Sequence, residues 1–319
     1  MYEEIDLQAG FVGSIVGTAV GDAIGELAFR HATQPGLQRA VRDTPILVYT
    51  DDTAMTIALA ESIVESGGLD PDHLGETFTA SYKQEPWRGY APGPPTVFAR
   101  VERHGIAYPE AAGTLYGGEG SFGNGAAMRV APVGLFFYDS PNLYEQAQLS
   151  AAVTHAHPIG IDGAAIQARA VAEALIRDPG ETLDVDDFLA TLLDTARTSE
   201  MSEELCSVRR LIRRRAEPAV AAQELGQGVA VQYSLPFALY CFLIHPRSFR
   251  DCLHCAALNG GDRDTLGAMA CAVSGAYLGV QAIPHAWRER VENRQHIEDL
   301  ARELYGMKAS HSAEGPGDR

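Results

Sequence analysis

Apolar residues recur at helical spacing over most of the chain, in runs at 54–66, 70–84, 143–153, 160–177, 186–198, 202–215, 235–244, 247–257, 265–280 and 292–305. Each run predicts an α-helix. Alternation with a period of two is scarce, and the best strand candidate, TPILVYT at 44–50, is short and leads straight into a helical stretch. The pattern therefore predicts an all-α fold. Glycine and proline concentrate in PWRGYAPGPP at 86–95 and GGEGSFGNG at 117–125, both too glycine-rich for helix interiors, so both read as loops. No linker composition divides the chain. One domain over residues 1–307 is expected, followed by a polar tail, KASHSAEGPGDR at 308–319, expected to be disordered.

Composition narrows the class. With 319 residues, 46% of them hydrophobic, the chain can bury a substantial core. Its 25 Lys+Arg against 42 Asp+Glu give a net charge of −17, which disfavours general binding to nucleic acid or to an anionic membrane surface. Only two lysines occur, Lys83 and Lys308, and neither lies in a Gly-Lys-Ser/Thr phosphate loop. Any phosphate must then be held by backbone amides, arginine or a metal ion. The opening MYEEIDLQ is acidic and precedes no signal-type apolar run, and LPFALYCFLI at 235–244 is too short to span a bilayer and is interrupted by Pro236. A cytoplasmic monomer without a membrane partner is expected. The five cysteines form no disulfide framework, and the lone Cys252–Cys255 pair lacks the second ligand pair of a zinc site, so these read as buried helix cysteines.

Two acidic clusters open small-residue helices in the same way. Thr50-Asp51-Asp52-Thr53 precedes AMTIALAESIVE, and Asp262-Arg263-Asp264-Thr265, after Gly260-Gly261, precedes LGAMACAVSGAYLG. Each alone is explained by N-capping, worth about 1 kcal/mol per cap. Together they place two carboxylates and a hydroxyl at each of two helix mouths. Facing carboxylate pairs repel unless a cation lies between them, and an all-oxygen donor set selects a hard cation such as Mg²⁺. Gly118, Gly120 and Gly123 spell GxGxxG, but no strand precedes them, which argues against a dinucleotide-binding βα turn. The loop is either a tight connection or a nest of amides able to cradle a diphosphate, with Ser121 and Asn124 as added donors.

These residues carry a resemblance. GSIVGTAVGDAIG (13–25), TDDT (50–53), RGY (88–90), GSFGNGAAMRVAPVGL (120–135), THAHPIGIDGAAIQA (154–168) and GGDRDTLGAMACAVSGAYLG (260–279) follow the order of the ADP-ribosylglycohydrolase family. The resemblance implies an all-α orthogonal helical bundle around a binuclear metal cleft holding two Mg²⁺ or, in some members, Mn²⁺. It also implies hydrolysis of the bond between the anomeric carbon of ADP-ribose and a modified acceptor, so the expected partner is ADP-ribose or an ADP-ribosylated protein. By similarity Thr50, Asp51, Asp52, Asp262, Asp264 and Thr265 match the metal ligands, with Asp51 and Asp52 in catalytic roles. Gly120, Ser121, Phe122, Gly123 and Asn124 would hold the diphosphate, Phe122 and Tyr116 would stack on adenine, and Gly89, Tyr90 and His155 would border the ribose and phosphates.

For RGY the rival reading is a proline-stiffened turn, and for His155 a packed interior histidine; His157 takes no role. The basic run from Arg209 to Arg215 reads as a solvated helix face. LPFALYCFL (235–243) and HAHPIGIDGA (155–164) lean towards serine acceptors over arginine. The rival function is a non-catalytic ADP-ribose-binding or structural relative, against which the intact acidic clusters argue. Two departures from the family pattern stand out. Relatives carry a gate glutamate seven positions after the aspartate corresponding to Asp22, where this chain has Phe29. Glu26, one turn earlier, would substitute as a catalytic carboxylate if the segment past Gly25 is unwound. Arg263 stands where relatives have a small or uncharged residue; it either turns outward to solvent, the favoured reading, or is placed to meet a substrate anion.

Overall fold

Helix formation follows the predicted runs closely. The computed structural model describes residues 6–313, and among them the chain forms seventeen α-helices, three short 3-10 turns and no strand. Each of the ten apolar runs lies on a helix, from Asp51–Ser66 to Arg294–Ala313. The strand candidate is extended but pairs through a single bridge, Leu47 with Val291.

At the centre, the helix Leu7–Arg30 packs antiparallel against Arg263–Leu278. Gly13, Gly17, Gly21 and Gly25, one per turn, face Gly275, Cys271, Gly267 and Arg263 in a fixed register. A Cβ at Gly21 would lie 2.2 Å from the Gly267 carbonyl oxygen, so only glycine permits this approach. That closeness brings Asp22, on the C-terminal half of the first helix, to the mouth of the second acidic cluster. The first helix is long and apolar enough to cross a membrane, but 83% of its apolar window is buried inside the protein, where it packs as core.

The chain's end differs from expectation. The helix Arg294–Ala313 carries residues 308–313 beyond the expected boundary at 307. Its last turns are tied down: Lys308 pairs with Asp139, and the His311 ring meets Phe136 edge-on at 5.7 Å. The rest of the predicted tail, 314–319, lies outside the described residues.

Candidate active site

Both acidic clusters sit at helix N-termini, yet neither N-cap residue, Thr50 or Asp262, makes a side-chain cap hydrogen bond. For the helix Asp51–Ser66 that duty falls to Asp22, 28 positions upstream of Thr50. Fully buried, Asp22 accepts from the Thr50 and Thr53 amides at 2.9 and 3.1 Å and from their hydroxyls at 2.9 and 2.6 Å. Asp51 and Asp52 are thereby freed from capping. The Asp51 amide donates to the Arg88 carbonyl at 2.8 Å, and Arg88 is itself locked by Glu85, Glu292 and the Tyr49 carbonyl.

The two clusters meet. Thr50 Oγ1, whose one proton is shared with Asp22, lies 3.1 Å from Asp52 Oδ2, and Thr265 Oγ1, from the second cluster, reaches the same oxygen at 3.4 Å. Asp52 Oδ1 is buried with no partner at all. On the second cluster, Asp264 Oδ1 accepts from the Thr265 amide, and Asn124 Nδ2 donates to Asp262 Oδ2 at 2.6 Å, tying the glycine loop to the acidic centre.

A cleft of about 410 Å³ opens from these carboxylates. Asp51, Asp52, Asp262, Asp264 and Thr265 line it together with Gly89, Tyr116, Ser121, Gly123, Asn124 and His155. Thr50 lines a neighbouring cavity that shares Gly89 and Asp264 with the cleft. Three proposed contacts fall outside the lining. Tyr90 packs edge-on against Tyr82 at 5.1 Å, with its hydroxyl buried away from the cleft lining. Gly120, at φ +78°, lies so close to the His157 amide that a Cβ would sit 2.7 Å away, a backbone role. The Phe122 ring meets His157 at 5.2 Å on the outer side of the loop.

Burial sets the electrostatics. Asp51 is pushed up to about 7 and Asp264 to about 8, by burial first and then by neighbouring carboxylates; Asp52 is raised for the same reasons. Asp262 is raised by burial, and Asp22 to about 6, where burial outweighs its four hydrogen bonds. Opposite them stands Arg129, fully buried, with its Nη2 donating to Thr154 Oγ1 at 2.8 Å. That hydroxyl lies 2.7 Å from His155 Nδ1, and with Thr154 assigned as the donor the ring proton sits on Nε2, beside Gly123 and Gly125. Burial, with help from Arg129, lowers His155 to about 3, so the imidazole is neutral.

Among the described residues no three His, Cys, Asp or Glu side chains are drawn together closely enough to hold a metal ion by themselves. The donor set nevertheless fits a hard cation: an orphaned buried Asp52 oxygen, mutually repelling carboxylates, and threonine hydroxyls between them.

The family model for ADP-ribosylglycohydrolase matches residues 3–314. The chain belongs to that family. It is accordingly an ADP-ribosyl glycohydrolase. ADP-ribosylhydrolase ARH3 of Homo sapiens is 34% identical over 299 residues, covering 85% of this chain and 81% of the relative. An uncharacterized protein of Archaeoglobus fulgidus is 31% identical over 262 residues, covering 81% and 80%. The solved ADP-ribosylglycohydrolase-related protein complex aligns with a TM-score of 0.66 at 24% identity, over 95% of this chain and 99% of that one, a likeness of fold.

Within this glycohydrolase two expectations are corrected. The first helix continues unbroken to Arg30, so Glu26 is held on a helix face rather than on an unwound segment, and it lines the neighbouring cavity. Arg263 turns back to donate to the Ala257 carbonyl near the end of the preceding helix, neither out to solvent nor into the cleft. Two residues central to the geometry carried no predicted role. Asp22 and Arg129 each stand alone as a charge in an apolar, small-residue stretch, which is the signal that would have found them: a buried charge must be partnered or functional.

Proposed function

We infer that the protein is a Mg²⁺-dependent hydrolase that cleaves the bond between the anomeric carbon of ADP-ribose and a modified acceptor, with serine acceptors favoured over arginine. The observation that carries the metal reading is the buried, unpartnered Asp52 oxygen between two clusters of oxygen donors. Thr50, Asp51, Asp52, Asp262, Asp264 and Thr265 would hold two Mg²⁺ ions, or Mn²⁺ in their place. When bound, such ions polarise substrate oxygens and make water acidic enough to attack near neutral pH.

The chain's own groups supply the rest. Amides of the Gly120–Gly125 loop face the diphosphate, with Ser121 and Asn124 as further donors. The neutral His155 offers Nε2–H to a ribose or phosphate oxygen, a donor that does not change charge across the working pH range. Asp51 or Asp52 takes the proton of the attacking water, and the buried carboxylates stabilise positive charge developing at the anomeric carbon. Tyr116, which lines the cleft, offers its ring to the adenine, with Phe122 the alternative at the outer rim. The serine preference is supported by the LPFALYCFL and HAHPIGIDGA segments.

The test is a panel of ADP-ribosylated serine, arginine and nucleobase substrates, each with Mg²⁺ or with excess EDTA, read by released ADP-ribose. Release from the serine substrate that EDTA abolishes and Mg²⁺ restores is the expected result; full activity in EDTA removes the metal from the mechanism.

A further inference from the structure

Two cavities meet at the acidic centre. One holds the glycine loop, His155 and Tyr116; the other, about 520 Å³, lies beyond Gly89 and Asp264, which line both. Asp264 is the one carboxylate that lines both, so ADP-ribose held in the first with its anomeric carbon beside Asp264 would direct the acceptor into the second. The walls of this second cavity are apolar where packing does not require it. The extended segment 44–50 alternates: Leu47 and Tyr49 turn inward at 0% and 4% exposure, whereas Ile46 and Val48 turn outward at 56% and 53%. Trp87 joins them in the lining at 71% exposure. Large apolar side chains gathered around a cleft that reaches the reacting site, and rimmed by polar groups such as Glu26 and Arg30, mark a recognition surface.

We propose that this groove seats the acceptor as a polypeptide segment carrying a large apolar side chain beside the modified residue, with Ile46, Val48 and Trp87 as its apolar wall. The proposal rests on the hydrolase reading above and adds what selects among acceptors. Continuity with the cleft through Gly89 and Asp264 places the groove on the leaving-group side. Charge favours a polypeptide over a nucleic acid. The chain carries −17, Glu26 and Asp264 face the groove, and of the two arginines in its lining Arg88 is committed to Glu85 and Glu292, which leaves Arg30 as a single cation against two carboxylates.

The experiment compares kcat/KM on three Mg²⁺-supplemented substrates: an ADP-ribosylated peptide with leucine beside the modified residue, the same peptide with glycine there, and an ADP-ribosylated oligonucleotide. The wild-type protein should prefer the leucine peptide roughly tenfold, as burial of one large apolar side chain allows. Trp87→Ala and the double variant Ile46→Ser/Val48→Ser should erase that preference, leaving the glycine peptide and free ADP-ribose affinity within about twofold. Equal losses on both peptides, no preference in the wild-type protein, or a better rate on the oligonucleotide would overturn the proposal. Binding is read without turnover in an Asp52→Asn, Trp287→Phe protein, where Trp87 is the remaining tryptophan. The leucine peptide should shift its emission and the glycine peptide should not. No ADP-ribose release from any substrate counts against the hydrolase reading, whereas unshifted Trp87 emission counts against the groove.

Discussion

Asp22 and Asp52 are both buried carboxylates a few ångströms apart through Thr50, but their hydrogen bonding is opposite. Asp22 is saturated by two amides and two hydroxyls; Asp52 keeps one oxygen with no donor. The first is therefore built for folding and the second for a ligand. Asp22→Asn replaces an acceptor oxygen with a donor facing donors, and should cost about 2–3 kcal/mol in urea unfolding. Asp52→Asn should leave apo stability equal or higher, since it removes repulsion, while ADP-ribose release falls to background. Should Asp52→Asn unfold the protein as Asp22→Asn does, Asp52 is structural. A similar comparison separates the two aromatic candidates. Tyr116 lines the cleft, whereas Phe122 rests against His157 outside it. Base stacking is worth about 1–3 kcal/mol, so Tyr116→Ala should weaken calorimetric ADP-ribose affinity by that amount and Phe122→Ala by less. The reverse order would put adenine at the outer rim beside Phe122.

Helices with one wet face were legible from their period, and two buried nearly all round, at 235–244 and 265–280, from their unbroken small and apolar runs, whereas the glycine-rich first helix was not. The run at 202–215 shows its period because Met201, Leu205, Val208 and Leu211 are buried while charged neighbours are exposed. The helix Leu7–Arg30 gives no such contrast, since glycine, alanine and β-branched residues are buried nearly all round it. Gly93–His104 begins in a stretch read as loop because prolines at a helix's first turn look like breakers, although that is where a helix accepts them. TPILVYT kept its alternation and lost its sheet: a single bridge to Val291 leaves Ile46 and Val48 without a neighbouring strand. The acidic residues that line the cleft were legible from their doubled spacing, but the packing of the Tyr90 and Phe122 rings was not, because their ring partners are Tyr82, on a separate helix, and His157, 35 positions on. The glycine face of the central helix pair makes its own prediction. Gly21→Ala forces a methyl against the Gly267 carbonyl, and two backbones cannot yield as a side chain would. Unfolding should be easier by about 3 kcal/mol, with turnover lost in parallel as Asp22 and Asp264 separate. Gly68→Ala, where a Cβ meets open space, is the control and should change stability little.

Across the whole molecule the acidic centre is a liability that a cation would offset. The chain already carries −17, and its buried carboxylates are held above their ordinary value of 3.8: Asp51 near 7, Asp264 near 8, Asp22 near 6. Exposed Asp and Glu are ionised in both folded and unfolded chains above about pH 6 and contribute no slope there. His155, lowered to about 3, opposes them near pH 6, because its imidazole gains a proton only on unfolding, but one histidine is outweighed by three aspartates. Between pH 6 and 8 the folded apo protein therefore binds more protons than the unfolded chain at these aspartates, so stability falls as pH rises towards their folded values. The stabilising contribution is complete below 3.8 and lost by about pH 8. A thermal scan in EDTA should accordingly give a higher Tm at pH 6 than at pH 8. Mg²⁺ binds only the deprotonated form, so it should raise Tm most at pH 8 and flatten the pH dependence, by an amount that grows with the logarithm of its concentration. Asp264→Asn should keep the higher Tm in EDTA and lose the response to Mg²⁺. If Mg²⁺ leaves Tm unchanged at pH 8 while the EDTA slope is present, the carboxylates are strained for some reason other than a cation, and the donor set from Thr50 to Thr265 is not a metal site.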